Sequence, residues 1–250
     1  GGAVLIAFGL RAFVLEAFKI PTESMVPTLA AGDHIFVNKF IYGLRIPLID
    51  VWLSRWAEPD RGDVIVFRFP REPDKDYIKR VVAVPGARVR VEGRTVYVNG
   101  ELLKREEADA FSYVQEGEDD PFAHDPNGLT IRGDRYQERP FIAKDATPEE
   151  PYSVLYDEAL ARRGRWPRPG QPKDQLPGFD CTAPTLGEPG GCTVQEDFIY
   201  VMGDNRDHSS DSRVWGGVPR DYVKGRAMFV WWSRGARSGV RWSRFFDWVR

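Results

Sequence analysis

Two side chains in this 250-residue sequence are placed as acyl-transfer chemistry would need them. Ser24, in "IPTESMVPTL", stands between two prolines, after an apolar segment and before an alternating one. A serine hydroxyl is a poor nucleophile at neutral pH and needs a base. There are three histidines, His34, His124 and His208, but no G-x-S-x-G elbow surrounds any serine, so an α/β-hydrolase triad lacks its signature. His34 opens a strand-like run, His124 lies in polar surroundings, and His208 sits in a polar cluster that leaves its role open. Lysine is the other candidate base. Lys79, in "YIKRVVAVPG", stands in an apolar run, whereas most lysines here keep polar company. In a strand it shares a face with Tyr77 and Val81, while Ile78 and Arg80 point the other way. Desolvation on such a face disfavours the ammonium form, which is how an amine becomes a base near neutrality. Taken alone, Ser24 is one serine among many and Lys79 reads better as a lysine snorkelling to the strand edge.

A third cluster, "YVMGDNRDHSSDSRVWGGVP", packs short polar side chains directly after an apolar strand. It fails as a calcium loop: counting from Asp204, the sixth residue is Ser209 rather than Gly and the twelfth is Trp215 rather than Glu. It reads better as a buried network in which Asp pairs with Arg. Such networks are costly unless fully satisfied, so they tend to mark function.

The elements that must hold these groups are mostly strands. "HIFVNKF", "DVIVFRF", "DYIKRVVAV", "ARVRV" and "TVYVNG" alternate and are rich in β-branched residues, with "RGD", "VPGA" and "VNGE" as turns. The pattern returns at "DFIYVMGDN" and "GRAMFVWW", so the two stretches are expected to share one sheet system. Between them, residues 101–196 are acidic, rich in Pro and Gly and weakly periodic. This segment reads as an inserted, loop-rich subdomain with some strand or helix at "TIRGDRYQERPFI" and "PYSVLYDEAL". The division is therefore 1–19, 20–100, 101–196 and 197–250. A hydrophobic content of 42% supports one large domain or two unequal ones. A net charge of −2 points away from nucleic acid, and nothing requires more than a monomer.

Residues 3–18, "AVLIAFGLRAFVLEAF", are apolar except for Arg11 and Glu16. Full spans need about 20 apolar residues, so the segment reads as the last part of a membrane helix that begins upstream; an ordinary core helix is the plainer reading. The C-terminal stretch places Trp231, Trp232, Trp242 and Trp248 beside Arg234, Arg237, Arg241, Arg244 and Arg250. That pairing suits a lipid headgroup region, and it suits equally a last strand and helix that pack aromatics inward. Cys181 and Cys192 flank a Gly- and Pro-rich loop with no zinc partner in view. A disulfide there, worth roughly 2–3 kcal/mol, is expected over two free thiols and favours an oxidising compartment.

Together, "FKIPTESMVPTL", "GDHIFVNKF", "RGDVIVFRFP", "DYIKRVVAVPG", "VYVNG" and "MGDNRDHSSDSRVWGGVP" occur in the order of, and resemble, the conserved boxes of the bacterial type I signal peptidases, the membrane-anchored Ser/Lys leader peptidases. The boxes span residues 18–219. The resemblance implies a mostly β fold: antiparallel sheets forming the catalytic core, an inserted variable β-rich subdomain, and an N-terminal helix tethering a periplasmic or outer-face domain to the inner membrane. It implies Ser24 as nucleophile, Lys79 as general base, Thr22 with the Ser24 N–H as oxyanion hole, and Ser209 as the group orienting the lysine. Asp211 and Arg213 match an ion pair holding that loop, with Met202, Asp204, Asn205 and Arg206 in the supporting network. Phe18, Ile20, Pro21, Met25, Leu29, Asp76, Tyr77 and Ile78 match a shallow substrate cleft that admits small residues, and the substrates implied are secretory preproteins cut after an A-x-A-like site. No metal or cofactor is implied. Two positions depart from the pattern: Glu23 replaces a small residue, and His208 stands where asparagine is common. Two other readings stay open: a related Ser/Lys peptidase, of conjugation type or a self-cleaving repressor, and a silent membrane-surface β protein. The repressor should carry a DNA-binding domain and its own scissile site, and neither is visible.

Overall fold

The computed structural model describes residues 15–46, 51–114, 130–138, 151–157, 176–182 and 190–250. Its strands begin with β1 Leu15–Lys19, β2 Asp33–Asn38, β3 Gly43–Ile46, β4 Val51–Arg55, β5 Val64–Phe69 and β6 Glu72–Ala83. There follow β7 Arg88–Glu92, β8 Thr95–Val98, β9 Glu101–Leu102, β10 Arg105–Glu107, β11 Phe111–Val114, β12 Thr130–Glu138 and β13 Tyr152–Tyr156. The rest are β14 Phe179–Thr182, β15 Gly191–Val194, β16 Phe198–Met202, β17 Val218–Pro219, β18 Val223–Gly235 and β19 Gly239–Val240. One four-residue helix, α1 Ser212–Trp215, lies between β16 and β17.

The main sheet runs β1-β2-β18-β5-β6-β16-β17, with β19 added to β18, and its ladders are antiparallel. The two β-rich stretches of sequence thus do form one sheet. It is buried on both faces, because strand alternation sends successive side chains to opposite sides. Ile78, Val64, Val66, Ile35 and Val37 pack on one face with Ile20, Met25 and Leu29. On the other, Ile65, Phe67, Val81 and Val201 pack with Trp215, and Tyr77 joins them. The expected split of Tyr77 and Val81 from Ile78 along β6 is therefore seen.

A second sheet, β14-β15-β7-β8-β9, joins strands on both sides of residue 101. The β8–β9 hairpin turns through Asn99 (φ 54°) and Gly100 (φ 81°), the left-handed pair that an Asn-Gly turn supplies. Cys181 and Cys192 face each other across β14 and β15 and are joined as a disulfide. The third sheet pairs β12 with β10, β11 and β13.

The apolar N-terminal segment differs from expectation where it is described. Leu15–Lys19 is a strand rather than the end of a helix, paired with β2 from Leu15↔Asn38 to Lys19↔His34. A short apolar run does not distinguish the two states by itself, and here the ladder offered by β2 decides. Residues 1–14 and His124 lie outside the described residues. Among the described residues no helix is long and apolar enough to cross a membrane. At the C-terminal end, Trp231 and Trp232 are half-buried on β18, while Trp242, Phe246 and Trp248 are exposed.

Candidate active site

Ser24 sits in the tight turns between β1 and β2. The turn is fixed by Val26 N–H donating to the Glu23 carbonyl (3.0 Å) and Leu29 N–H donating to the Met25 carbonyl (2.9 Å). Met25 and Leu29 are fully buried in the core beneath. Burying side chains of that kind stabilises by roughly 1.5–3 kcal/mol each, so the serine is held by its apolar neighbours. It is itself 8% exposed.

Lys79, on β6, is buried, and its Nζ donates to Ser24 Oγ at 2.6 Å and to the Ile78 carbonyl at 2.9 Å. Burial drives the amine down from its ordinary value to about 8, helped by Arg213, while the carboxylates of Asp211 and Asp204 pull the other way. A neutral amine at hydrogen-bond distance from a serine hydroxyl is the geometry a general base requires. Thr22 Oγ1 is 3.3 Å from Ser24 Oγ.

The loop after β16 closes over this pair. Gly203 N–H donates to Asp211 Oδ2 (2.9 Å) and Asp211 pairs with Arg213 (2.7 Å), whose Nη2 reaches the Arg206 carbonyl (2.7 Å). Burial by itself raises the Asp211 carboxyl, but the Arg213 guanidinium and the Gly203 N–H outweigh it and hold Asp211 below the usual carboxylate range. Asp211 also caps α1 by accepting from Arg213 N–H. Met202 anchors the start of the loop in the core. Gly203 is needed for close approach, since a Cβ there would lie 2.3 Å from Ser209 Oγ and 2.4 Å from the Ser24 carbonyl oxygen.

Asp204 is fully buried and clamped by Arg80 (2.6 and 2.7 Å) and by Thr28 Oγ1 (2.5 Å). Asn205 N–H donates to the Ser24 carbonyl (3.1 Å), and its Nδ2 donates to the Glu23 carbonyl (3.1 Å) and to Tyr113 Oη (2.8 Å). Arg206 pairs with buried Glu138 (2.7 Å), and His208 Nε2 lies 3.0 Å from Asp157 Oδ2. The structure therefore brings Ser24, Lys79, Thr22, Asp204, Asn205, Arg206, Ser209, Asp211 and Arg213 into one neighbourhood. His34 is elsewhere, edge-on to Trp231.

The expected cleft residues divide. Tyr77 is half-buried and stacks on Phe69 (4.2 Å), Phe18 is half-buried, and Pro21 is exposed. Ile20 and Ile78 are buried at the margin, while Met25 and Leu29 lie fully beneath the surface as its support. Asp76 is exposed and pairs with Lys224 (2.7 Å). Sequence reasoning passed over Arg80, Glu138, Tyr152 and Asp157. Arg80 carried the same signal as Lys79, a charge in an apolar strand. Glu138 and Asp157 carried none, being acids in an acidic, weakly periodic segment.

The sequence matches the family described as "Signal peptidase, peptidase S26" over residues 1–232. The chain belongs to this family. Signal peptidase I of Pseudomonas aeruginosa is 34% identical over 246 residues, covering 92% of this chain and 69% of that protein. The enzyme of the same name from Aquifex aeolicus is 32% identical over 243 residues, covering 92% of this chain and 80% of its own. Membership makes the chain a serine endopeptidase.

Proposed function

We propose that this chain removes signal peptides from secreted preproteins, with Ser24 as nucleophile and Lys79 as general base, cutting after small residues at an A-x-A-like site. The observation that carries the assignment is the 2.6 Å approach of Lys79 Nζ to Ser24 Oγ, both side chains being buried. Neutral Lys79 takes the hydroxyl proton as Ser24 Oγ attacks the scissile carbonyl. The new ammonium then protonates the leaving amine, and a water repeats the sequence on the acyl-enzyme. The Ser24 N–H and Thr22 Oγ1 are assigned to the oxyanion, where one donor is worth roughly 3–4 kcal/mol. Ser209, buried beside Gly203, is assigned to orienting the amine.

The cleft is assigned to the outer edge of β6. That strand pairs with β16 only from Arg80 onward, so the edge from Asp76 to Lys79 has no ladder partner among the described residues. A substrate strand added there would run past Tyr77 and Ile78 towards Ser24. A floor supported from beneath by Met25 and Leu29 leaves little depth, which favours alanine-sized side chains. Exposed Trp242, Phe246 and Trp248 support a seat at a membrane surface on the outer face. The 101–196 segment is taken as a subdomain inserted into the catalytic core.

The test is cleavage of a preprotein with an A-x-A site, in detergent, by wild type, Ser24→Ala and Lys79→Ala. Wild type should cut once, after the second alanine, and both variants should be inert. Normal cleavage by Lys79→Ala would place the base elsewhere.

A further inference from the structure

β13 lies against the loop that carries Asp204 to Arg206 as a parallel bridge. Leu155 N–H donates to the Asp204 carbonyl and Arg206 N–H donates to the Leu155 carbonyl, both at 2.9 Å. The residue this bridge encloses is Asn205, whose Nδ2 holds the Glu23 carbonyl. That carbonyl and the Ser24 N–H belong to one planar peptide unit. Fixing the first therefore fixes the direction of the second, the donor assigned to the oxyanion.

Charge is matched along the same seam. Glu138, at the end of β12, is buried and accepts from Arg206 at 2.7 and 2.9 Å and from Tyr152 Oη at 3.3 Å. The Tyr152 ring lies 4.0 Å from the Arg80 guanidinium. Buried Arg206 would be left without a countercharge if Glu138 were withdrawn, which is strongly unfavourable. Arg206 is thus settled in its loop by a carboxylate from the far side of the seam.

We propose that Glu138 is a positioning residue for the peptidase reaction: through Arg206 it fixes Asn205, and through Asn205 the peptide unit that presents the Ser24 N–H. The 101–196 segment then completes the catalytic centre instead of merely flanking it. The inference rests on the assignment of Ser24 and Lys79 made above.

Glu138→Gln keeps the shape and removes the charge. With a peptide substrate bearing an A-x-A site, kcat should fall by about 10–100-fold, a partial loss of one oxyanion donor. KM should stay within about twofold. The acid limb of the rate profile should not move, because the charges acting on Lys79 are Asp211, Asp204 and Arg213. A peptide aldehyde, whose hemiacetal oxygen occupies the oxyanion site, should bind at least about tenfold more weakly. A purely structural role would lower the melting temperature and leave the kcat of folded enzyme unchanged. If Glu138→Gln does not fold, the pair Glu138→Leu with Arg206→Met removes both charges and is expected to fold with kcat still depressed at least about tenfold. Either folded variant turning over within about twofold of wild type overturns the proposal. Ser24→Ala is run beside them: activity there would overturn the nucleophile assignment, and it reads out separately from Glu138.

Discussion

Lys79 Nζ stands 2.6 Å from Ser24 Oγ although 55 positions separate the two residues in the chain. The contact exists because β6 buries the amine at the point where the β1–β2 turn brings the hydroxyl. Only the neutral amine can accept the proton, and burial sets its pKa at about 8. The value of kcat/KM is therefore expected to rise tenfold per unit of pH up to about pH 8 and then level off. The measurement is a rate profile from about pH 6 to about pH 10. A plateau already reached at the acid end would mean that Lys79 is not the titrating base.

The same burial has a cost in stability. The folded-state pKa of Lys79 is depressed from 10.5 to about 8, so between those values the unfolded chain binds more protons. Stability from this group is lowest below pH 8, by roughly 3 kcal/mol, and is recovered as pH rises through that window. Lys79→Met removes the term and also two hydrogen bonds. It should abolish cleavage and stabilise the fold by about 1–3 kcal/mol at neutral pH, with the gain fading above about pH 10. Urea unfolding at both ends of the window checks this. A variant less stable than wild type at pH 7 would show that the amine is not held at a disadvantage.

Much of this site could be read in advance because its parts are local. "TESM" and "YIKRVV" each declare a polar group in apolar company, and strand alternation settles which face Lys79 occupies. The core strands were legible for the same reason. What could not be read was whatever depends on a partner remote in the chain. Leu15–Lys19 is a strand because β2 pairs with it, and no local periodicity in an apolar run conveys that. Glu138 meets Arg206 across 68 positions, out of a segment whose acids all look solvated. Arg80 was legible in principle, since a guanidinium flanked by Lys79 and Val81 in a buried strand must find a carboxylate.

Gly203 tests how closely the loop must approach. With a Cβ 2.3 Å from Ser209 Oγ and 2.4 Å from the Ser24 carbonyl oxygen, Gly203→Ala must push the loop away from the Ser24 turn. Overpacking of this kind costs about 1–3 kcal/mol. Activity should fall further than stability, by at least about tenfold at a temperature where the variant is folded. Near-normal turnover would mean that the loop can retreat without disturbing Ser24.

Asp211→Asn separates the charge of the loop from its shape. The amide can still accept from Gly203 N–H but leaves Arg213 buried without its ion-pair partner, and stability should drop by about 3–5 kcal/mol. Asp211 is also the larger of the two charges that raise the Lys79 pKa, while Arg213 lowers it. With the carboxylate gone and the guanidinium still in place, the amine should titrate below its present value. The acid limb of the rate profile then moves to lower pH, while the plateau falls because the base is weaker and the loop less firmly held. The two effects have opposite signs on the rate at neutral pH, so a single-pH assay would mislead and the full profile is needed. A limb displaced to higher pH would mean that Asp211 acts on Lys79 through the loop's geometry and not through its charge.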